Sequence, residues 1–171
     1  MSSHDFLSPQ KEKEEDFVLP PLAISNGVEF SGWLDHRDVH TKLGKAQVFA
    51  FPSVREFGGG VVLEAMGMGV VPVVLDHGGP PEFIADGMGY ALPIGTREQV
   101  IAGFRERLSD LSTRIRDVIA MGQRARAHAL KHYTWEAKAK QLHDIYAWVC
   151  GDRSEKPKPF EEMERAIANS V

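Results

Sequence analysis

The chain has 171 residues and 19.0 kDa, 43% hydrophobic and 26% charged, with 20 basic and 24 acidic residues for a net charge of -4. That suits one globular domain with a real core. No apolar run reaches the about 18 residues of a membrane span, the first residues lack the pattern of a secretory signal, and a single cysteine, Cys150, excludes a disulfide framework or a cysteine zinc site.

Residues 1–27 read as a tail or divergent segment. Gln10-Lys11-Glu12-Lys13-Glu14-Glu15-Asp16 is a mixed charge run without an apolar period, as in a solvated tail. Phe17 to Ile24 is apolar, but Pro20-Pro21 argues against a strand or helix interior. Val28 to Ser31 alternates and stops at Gly32, a short strand. Asp35 can cap a helix running to Leu43. Gln47 to Phe51 is β-rich and ends at Pro52-Ser53. Gly58-Gly59-Gly60 leads into a short helix, Val61 to Met66, ended near Gly67 and Gly69. Val70 to Leu75 is almost continuously apolar, the mark of a strand covered on both faces, with Pro72 expected at its start. Gly78-Gly79-Pro80-Pro81-Glu82 turns into a helix of one or two turns, and Gly89 to Leu92 is another short strand.

Helices follow. Thr96 and Gln99 form a capping box, and Val100, Ile101, Phe104, Leu108 and Leu111 share one face of the helix that follows. A second helix, about 113–131, has Ile115, Val118, Ile119, Met121 and Ala125 on its apolar side. Thr134 caps a third, with Trp135, Ala139, Leu142, Ile145, Tyr146 and Val149 as its core face. Pro157 and Pro159 precede a last short helix carrying Phe160, Met163 and Ile167. Strands alternating with helices imply a parallel, Rossmann-like α/β sheet of about four strands with a helical C-terminus.

In such a sheet ligands bind beyond the carboxyl ends of the strands. The glycine-rich turn from Pro52 to Gly60 lies there, and its backbone N–H groups can approach an anion at a helix N-terminus. The glycines could equally serve the turn alone. Glu64 stands in an otherwise apolar stretch and needs a partner: a structural ion pair, or the hydroxyls of a sugar or ribose. His36 and His40, and His128 and His132, are i, i+4 pairs that suit either a metal or an ordinary helix surface. Trp135 and Trp148 read as core residues, His77 as a loop residue beside the Gly78-Gly79 turn, and Cys150 as an inert thiol.

Taken together, Phe51-Pro52-Ser53, Glu56 and Glu64-Ala65-Met66, then Gly69, Pro72-Val73-Val74, Gly78-Gly79 and Glu82, resemble the donor-binding domain of the family 4 retaining glycosyltransferases of the GT-B fold. The likeness runs from about Val28 to Val149. It includes Val28, Phe30 and Gly32-Trp33 upstream and Tyr133-Thr134-Trp135 downstream. It implies a partial donor domain over 28–150, after the segment 1–27 and before a linker and short helix over 151–171. It implies transfer of a sugar, with retention, from a nucleotide-diphosphate sugar to an acceptor. Glu56 would be the catalytic-site carboxylate on the sugar hydroxyls and Glu64 the ribose contact. The donor-binding set would be Ser53, Glu56, Gly58, Gly59, Gly60, Val61 and Glu64. Gly32, Trp33, His77, Gly78 and Gly79 would be base or loop contacts. Positive charge and the helix dipole would stabilise the leaving diphosphate, with no metal and no cofactor required.

The chain departs from that pattern in two ways. Enzymes of this family usually have more than twice this length, including an acceptor domain. Their donor domains also open with two strands and an Arg and Lys segment for the diphosphate, which residues 1–27 do not match. The expectation is therefore that Val28 to Ser31 re-pairs beside residues 46–51, and that the chain alone is inactive or works with a separate chain carrying the acceptor domain. The alternative is a non-catalytic nucleotide-sugar-binding fragment or interaction module. The expected partner is a nucleotide sugar and not nucleic acid, in a cytoplasmic setting, with peripheral membrane contact left open.

Overall fold

The computed structural model describes residues 27, 28 and 30–157. The described residues up to Leu34 belong to one unit, and Asp35 onward forms a second. The second unit runs α1 (His36–Leu43), β1 (Val48–Phe51), α2 (Gly60–Gly67), β2 (Val71–Leu75), a 3₁₀ turn (Pro80–Phe83), β3 (Tyr90–Leu92), α3 (Arg97–Thr113), α4 (Ile115–His132) and α5 (Trp135–Cys150). The strands form one parallel sheet in the order β1-β2-β3.

β2 is the central strand, and all five of its residues are buried. Its pleat sends Val71, Val73 and Leu75 to one face, where they pack with Phe104 and Leu111 of α3 and Val118 and Met121 of α4. Val74 points to the other face, against Val62 and Met66 of α2 and Ala125 and Ala129 of α4. Helices thus cover both faces, and α4 contributes to both cores. This is the α/β architecture that the apolar run at 70–75 predicts. Pro72 is the second residue of β2. Val71 N–H donates to the Gln47 carbonyl of the β1 side at 3.0 Å, so the donor position lost at Pro72 faces the β3 side. Pairing there begins only at Val73 with Tyr90. The missing N–H therefore removes no rung of the ladder.

The caps explain where the helices start. Asp35 accepts from Asp38 N–H at 3.0 Å, and Thr134 from Ala137 N–H at 3.2 Å. Thr96 and Gln99 make the reciprocal capping box, at 3.3 and 2.8 Å. The helix entered through Gly78-Gly79 is a single 3₁₀ turn.

Four sequence expectations need correction. Val28, Phe30 and Ser31 carry no strand conformation, and the sheet has three strands among the described residues, with β1 at an edge. Alternation alone cannot hold a segment extended without a ladder partner. On α3 the buried stripe narrows to Phe104 and Leu111, while Ile101 and Leu108 are exposed. On α4 it follows Val118, Met121, Gly122, Ala125 and Ala129, leaving Ile115 and Ile119 exposed. The assigned core face of α5 buries nothing: Trp135, Leu142, Tyr146 and Val149 are all exposed. The charged tail and the terminal helix lie outside the described residues. Among the described residues no helix is long and apolar enough to cross a membrane.

Candidate functional site

The loop from Pro52 to Gly59 leaves the carboxyl end of β1 and enters α2. Its organising group is the Glu56 carboxylate. Oε1 accepts from Gly59 N–H at 2.8 Å and from Gly58 N–H at 3.1 Å. The turn thereby folds back on its own side chain and sets a negative charge at the positive end of α2, a favourable placement. Gly59 is the N-cap and offers no side-chain cap of its own. Its φ of +63° is left-handed, and a Cβ there would lie 2.9 Å from Pro80 Cγ. Glycine is thus demanded by backbone and by space. The next two amides, of Gly60 and Val61, are first-turn donors with no acceptor within the helix, and they bond no protein acceptor among the described residues.

A second loop braces the first. A Cβ at Gly78, where φ is +69°, would stand 2.5 Å from the Glu56 carbonyl oxygen, and one at Gly79 would overlap the Phe57 carbonyl. The backbone of the Gly78-Gly79 turn is therefore laid directly on the backbone of Glu56 and Phe57. Asp76 N–H donates to Leu92 O at 2.7 Å and His77 N–H to Leu75 O at 2.8 Å, which anchors this second loop to the ends of β2 and β3. His77 itself is exposed. Ser53 Oγ accepts from Arg55 N–H at 3.4 Å, a long contact within the same turn.

Glu64 lies in the second turn of α2, half-buried, and its partner comes from α1. Its Oε2 is 3.2 Å from His40 Nε2 and its Oε1 is 3.6 Å from His36 Nε2. Of the two readings open for this carboxylate, the structural pair is present, and it uses histidines that the sequence placed only as an i, i+4 pair. Asp35 starts the helix that puts both rings on one face. Nothing local in the sequence signals that this face meets α2.

Glu56, Gly58, Gly59, Gly60 and Val61 thus gather at the start of α2, braced by Gly78 and Gly79, while Ser53 lies farther back in the same loop, Glu64 lies a turn into the helix facing α1, and His77 lies on the bracing loop. Gly32 and Trp33 belong to the unit before Asp35, and Trp33 is fully exposed. Sequence reasoning missed three features: the Glu56 carboxylate as a cap for its own loop, Pro80 as the wall against Gly59, and the tie from α1 to Glu64.

Comparison with known proteins gives a consistent result. The family model described as glycosyl transferases group 1 matches residues 21–128. A GDP-mannose-dependent monoacylated alpha-(1-6)-phosphatidylinositol monomannoside mannosyltransferase of Corynebacterium glutamicum is 31% identical over 130 residues, covering 71% of this chain and 33% of the relative. An alpha-maltose-1-phosphate synthase of Mycobacterium tuberculosis is 34% identical over 112 residues, covering 63% of this chain and 29% of the relative. A D-inositol 3-phosphate glycosyltransferase of Corynebacterium urealyticum is 35% identical over 126 residues, covering 73% and 28%. The chain spans about a third of the length of these relatives.

Proposed function

The chain belongs to the group 1 glycosyl transferases, and from that membership we propose that its α/β unit is the donor-binding part of an enzyme transferring a sugar, with retention, from a nucleotide-diphosphate sugar. The observation that carries this reading is the mouth of α2. There a carboxylate held by Gly58 and Gly59 stands beside the unbonded amides of Gly60 and Val61.

Each part has a chemical task. The Glu56 Oε1 lone pairs are taken by two amides, so Oε2 accepts from a donor-sugar hydroxyl. The Gly60 and Val61 N–H groups meet the diphosphate, with the α2 dipole behind them. These donors act most strongly on the charge that builds as the leaving group departs. Glu64, steadied by His40, accepts from a ribose hydroxyl. Ser53 and the His77-Gly78-Gly79 loop flank the base and ribose. In this reading the leaving diphosphate is met by backbone amides and the helix dipole rather than by a metal. The acceptor would be bound by a second domain or a separate chain, so transfer belongs to the assembled enzyme and donor binding to this chain.

Calorimetric titration with UDP-, GDP- and ADP-sugars tests the reading. The wild-type chain should bind at least one, Glu56→Gln and Glu64→Ala should bind about tenfold or more weakly, corresponding to about 1.4 kcal/mol, and Gly60→Ala should weaken binding by crowding the diphosphate. Absence of binding to all three donors would overturn donor binding by this chain. Unchanged affinity in Glu64→Ala would remove the ribose role. Binding in the reconstituted enzyme without any transfer would favour the non-catalytic alternative.

A further inference from the structure

His36, His40 and Glu64 meet in a way that the donor reading does not require. The two histidines are one turn apart on α1, with ring centroids 4.2 Å apart and planes inclined at 61°. The carboxylate arrives from a different helix, 24 positions away from His40 in sequence. One ligand atom from each of the three residues lies within 4.8 Å of the others, and among the described residues they form the one such group of three.

The distances carry the argument. A tetrahedral zinc ion with Zn–N and Zn–O bonds of about 2.0–2.1 Å sets its ligand atoms about 3.3 Å apart. The observed separations of the two Nε2 atoms from the Glu64 oxygens are 3.2 and 3.6 Å. Those two distances run to different carboxylate oxygens; taking one oxygen with both Nε2 atoms, the three ligand atoms lie within 4.8 Å of one another, so an entering ion would draw them together by up to about 1.5 Å. The side chains of His36, His40 and Glu64 are 73%, 35% and 38% exposed, which leaves the fourth direction open to water. Two imidazoles with one carboxylate suit a borderline transition metal and offer little to Mg²⁺, which prefers an all-oxygen shell. The other i, i+4 pair, His128 and His132, has ring centroids 4.8 Å apart and no such third ligand among the described residues.

We infer that His36 Nε2, His40 Nε2 and the Glu64 carboxylate form a three-ligand site for a divalent transition metal of the Zn²⁺ class, bridging α1 and α2 with one coordination position open. The ion would share Glu64 with the donor. That consequence rests on the donor-binding reading, whereas the site itself is tested without nucleotide.

The experiment is Zn²⁺ titration of the full chain by calorimetry, with Mg²⁺ in parallel and circular dichroism to confirm folding of each variant. One Zn²⁺ should bind per chain. His36→Ala, His40→Ala and Glu64→Gln should each weaken it by more than about tenfold, because loss of a direct ligand exceeds the loss of an outer-shell partner. His143→Ala, on the exposed surface of α5, should leave it unchanged. His36 is largely exposed, so its variant separates ligation from folding. Wild-type affinity weaker than about 1 mM, equal affinity for Mg²⁺, or a site that survives in folded His40→Ala or Glu64→Gln would overturn the assignment. Loss of the site in His128→Ala with retention in His36→Ala would move it to the other pair and overturn it equally.

Discussion

At Gly78 two independent constraints select glycine. The left-handed backbone costs any other residue about 1–2 kcal/mol, and a Cβ would press on the Glu56 carbonyl oxygen 2.5 Å away. Gly78→Ala should therefore destabilise the chain by at least about 2 kcal/mol. In a domain of this size that lowers the melting temperature by about 4–8 °C, measurable by thermal circular dichroism. Gly60→Ala is the control. Its Cβ would meet nothing within 4 Å, and it lies in a helix, so its melting temperature should hold or rise. Equal losses in both variants would show that the 78–79 brace has no special weight. The neighbouring Gly79 differs in kind: its φ is -75°, and only the Phe57 carbonyl oxygen excludes a side chain.

Between elements, the junction of α3 and α4 is held by charge. The Arg114 guanidinium bonds the Asp110 carboxylate, and Arg107 Nη1 reaches it at 3.2 Å. Arg114 foremost, and then Arg107, hold the Asp110 carboxyl below its ordinary value of 3.8. A depressed folded value means that this contribution is complete above the unfolded value and fades as pH falls through the folded one. In Asp110→Asn the stability deficit should thus be full at neutral pH and close below pH 3.8, as read from urea midpoints across an acid series. Because the pair is exposed, the deficit should be small. A deficit that stays constant through the acid range would assign it to packing. Element identity was legible wherever the signal was local: the Thr96 and Gln99 capping box, the Asp35 and Thr134 caps, and the apolar run of β2. The partner of each helix face was not. Spacing placed Ile115 and Ile119 on one face with Val118, Met121 and Ala125, but packing against the sheet leaves the two isoleucines exposed and brings in Gly122 and Ala129. The reason is backbone proximity at Gly122, where a Cβ would overlap the Gly69 carbonyl. A glycine inside a helix gives no one-dimensional hint of such a contact. The α5 stripe was legible as amphipathic, but periodicity does not say what covers it.

For the molecule as a whole, the sheet has a strong centre and an open side. β2 is buried throughout, whereas β1 has no strand on its outer edge among the described residues. Val71 donates to Gln47, and Val48 registers with Val71. In a parallel ladder, Phe49 and Phe51 then turn their N–H groups to β2, and Val48 and Ala50 turn theirs outward. Hydrogen exchange followed residue by residue should show protected amides at Phe49 and Phe51 and fast ones at Val48 and Ala50. Equal protection would mean that the edge is covered. The candidate site was legible at this scale for a related reason. Glycines and two carboxylates after the first paired strand point to the carboxyl end of a parallel sheet, whatever the details of packing. What the sequence hid was long-range: α1 tied to α2 through Glu64, and the turn after β2 seated on the turn after β1. That last contact bears on how the protein could be redesigned. Because the two turns touch through bare backbone, they form one mutational unit. A library that randomises Val54, Arg55 and Phe57 and keeps Glu56 and Gly58 should yield folded members when Gly78 and Gly79 are held fixed. Varying both turns together would mostly sample chains whose loops no longer fit each other.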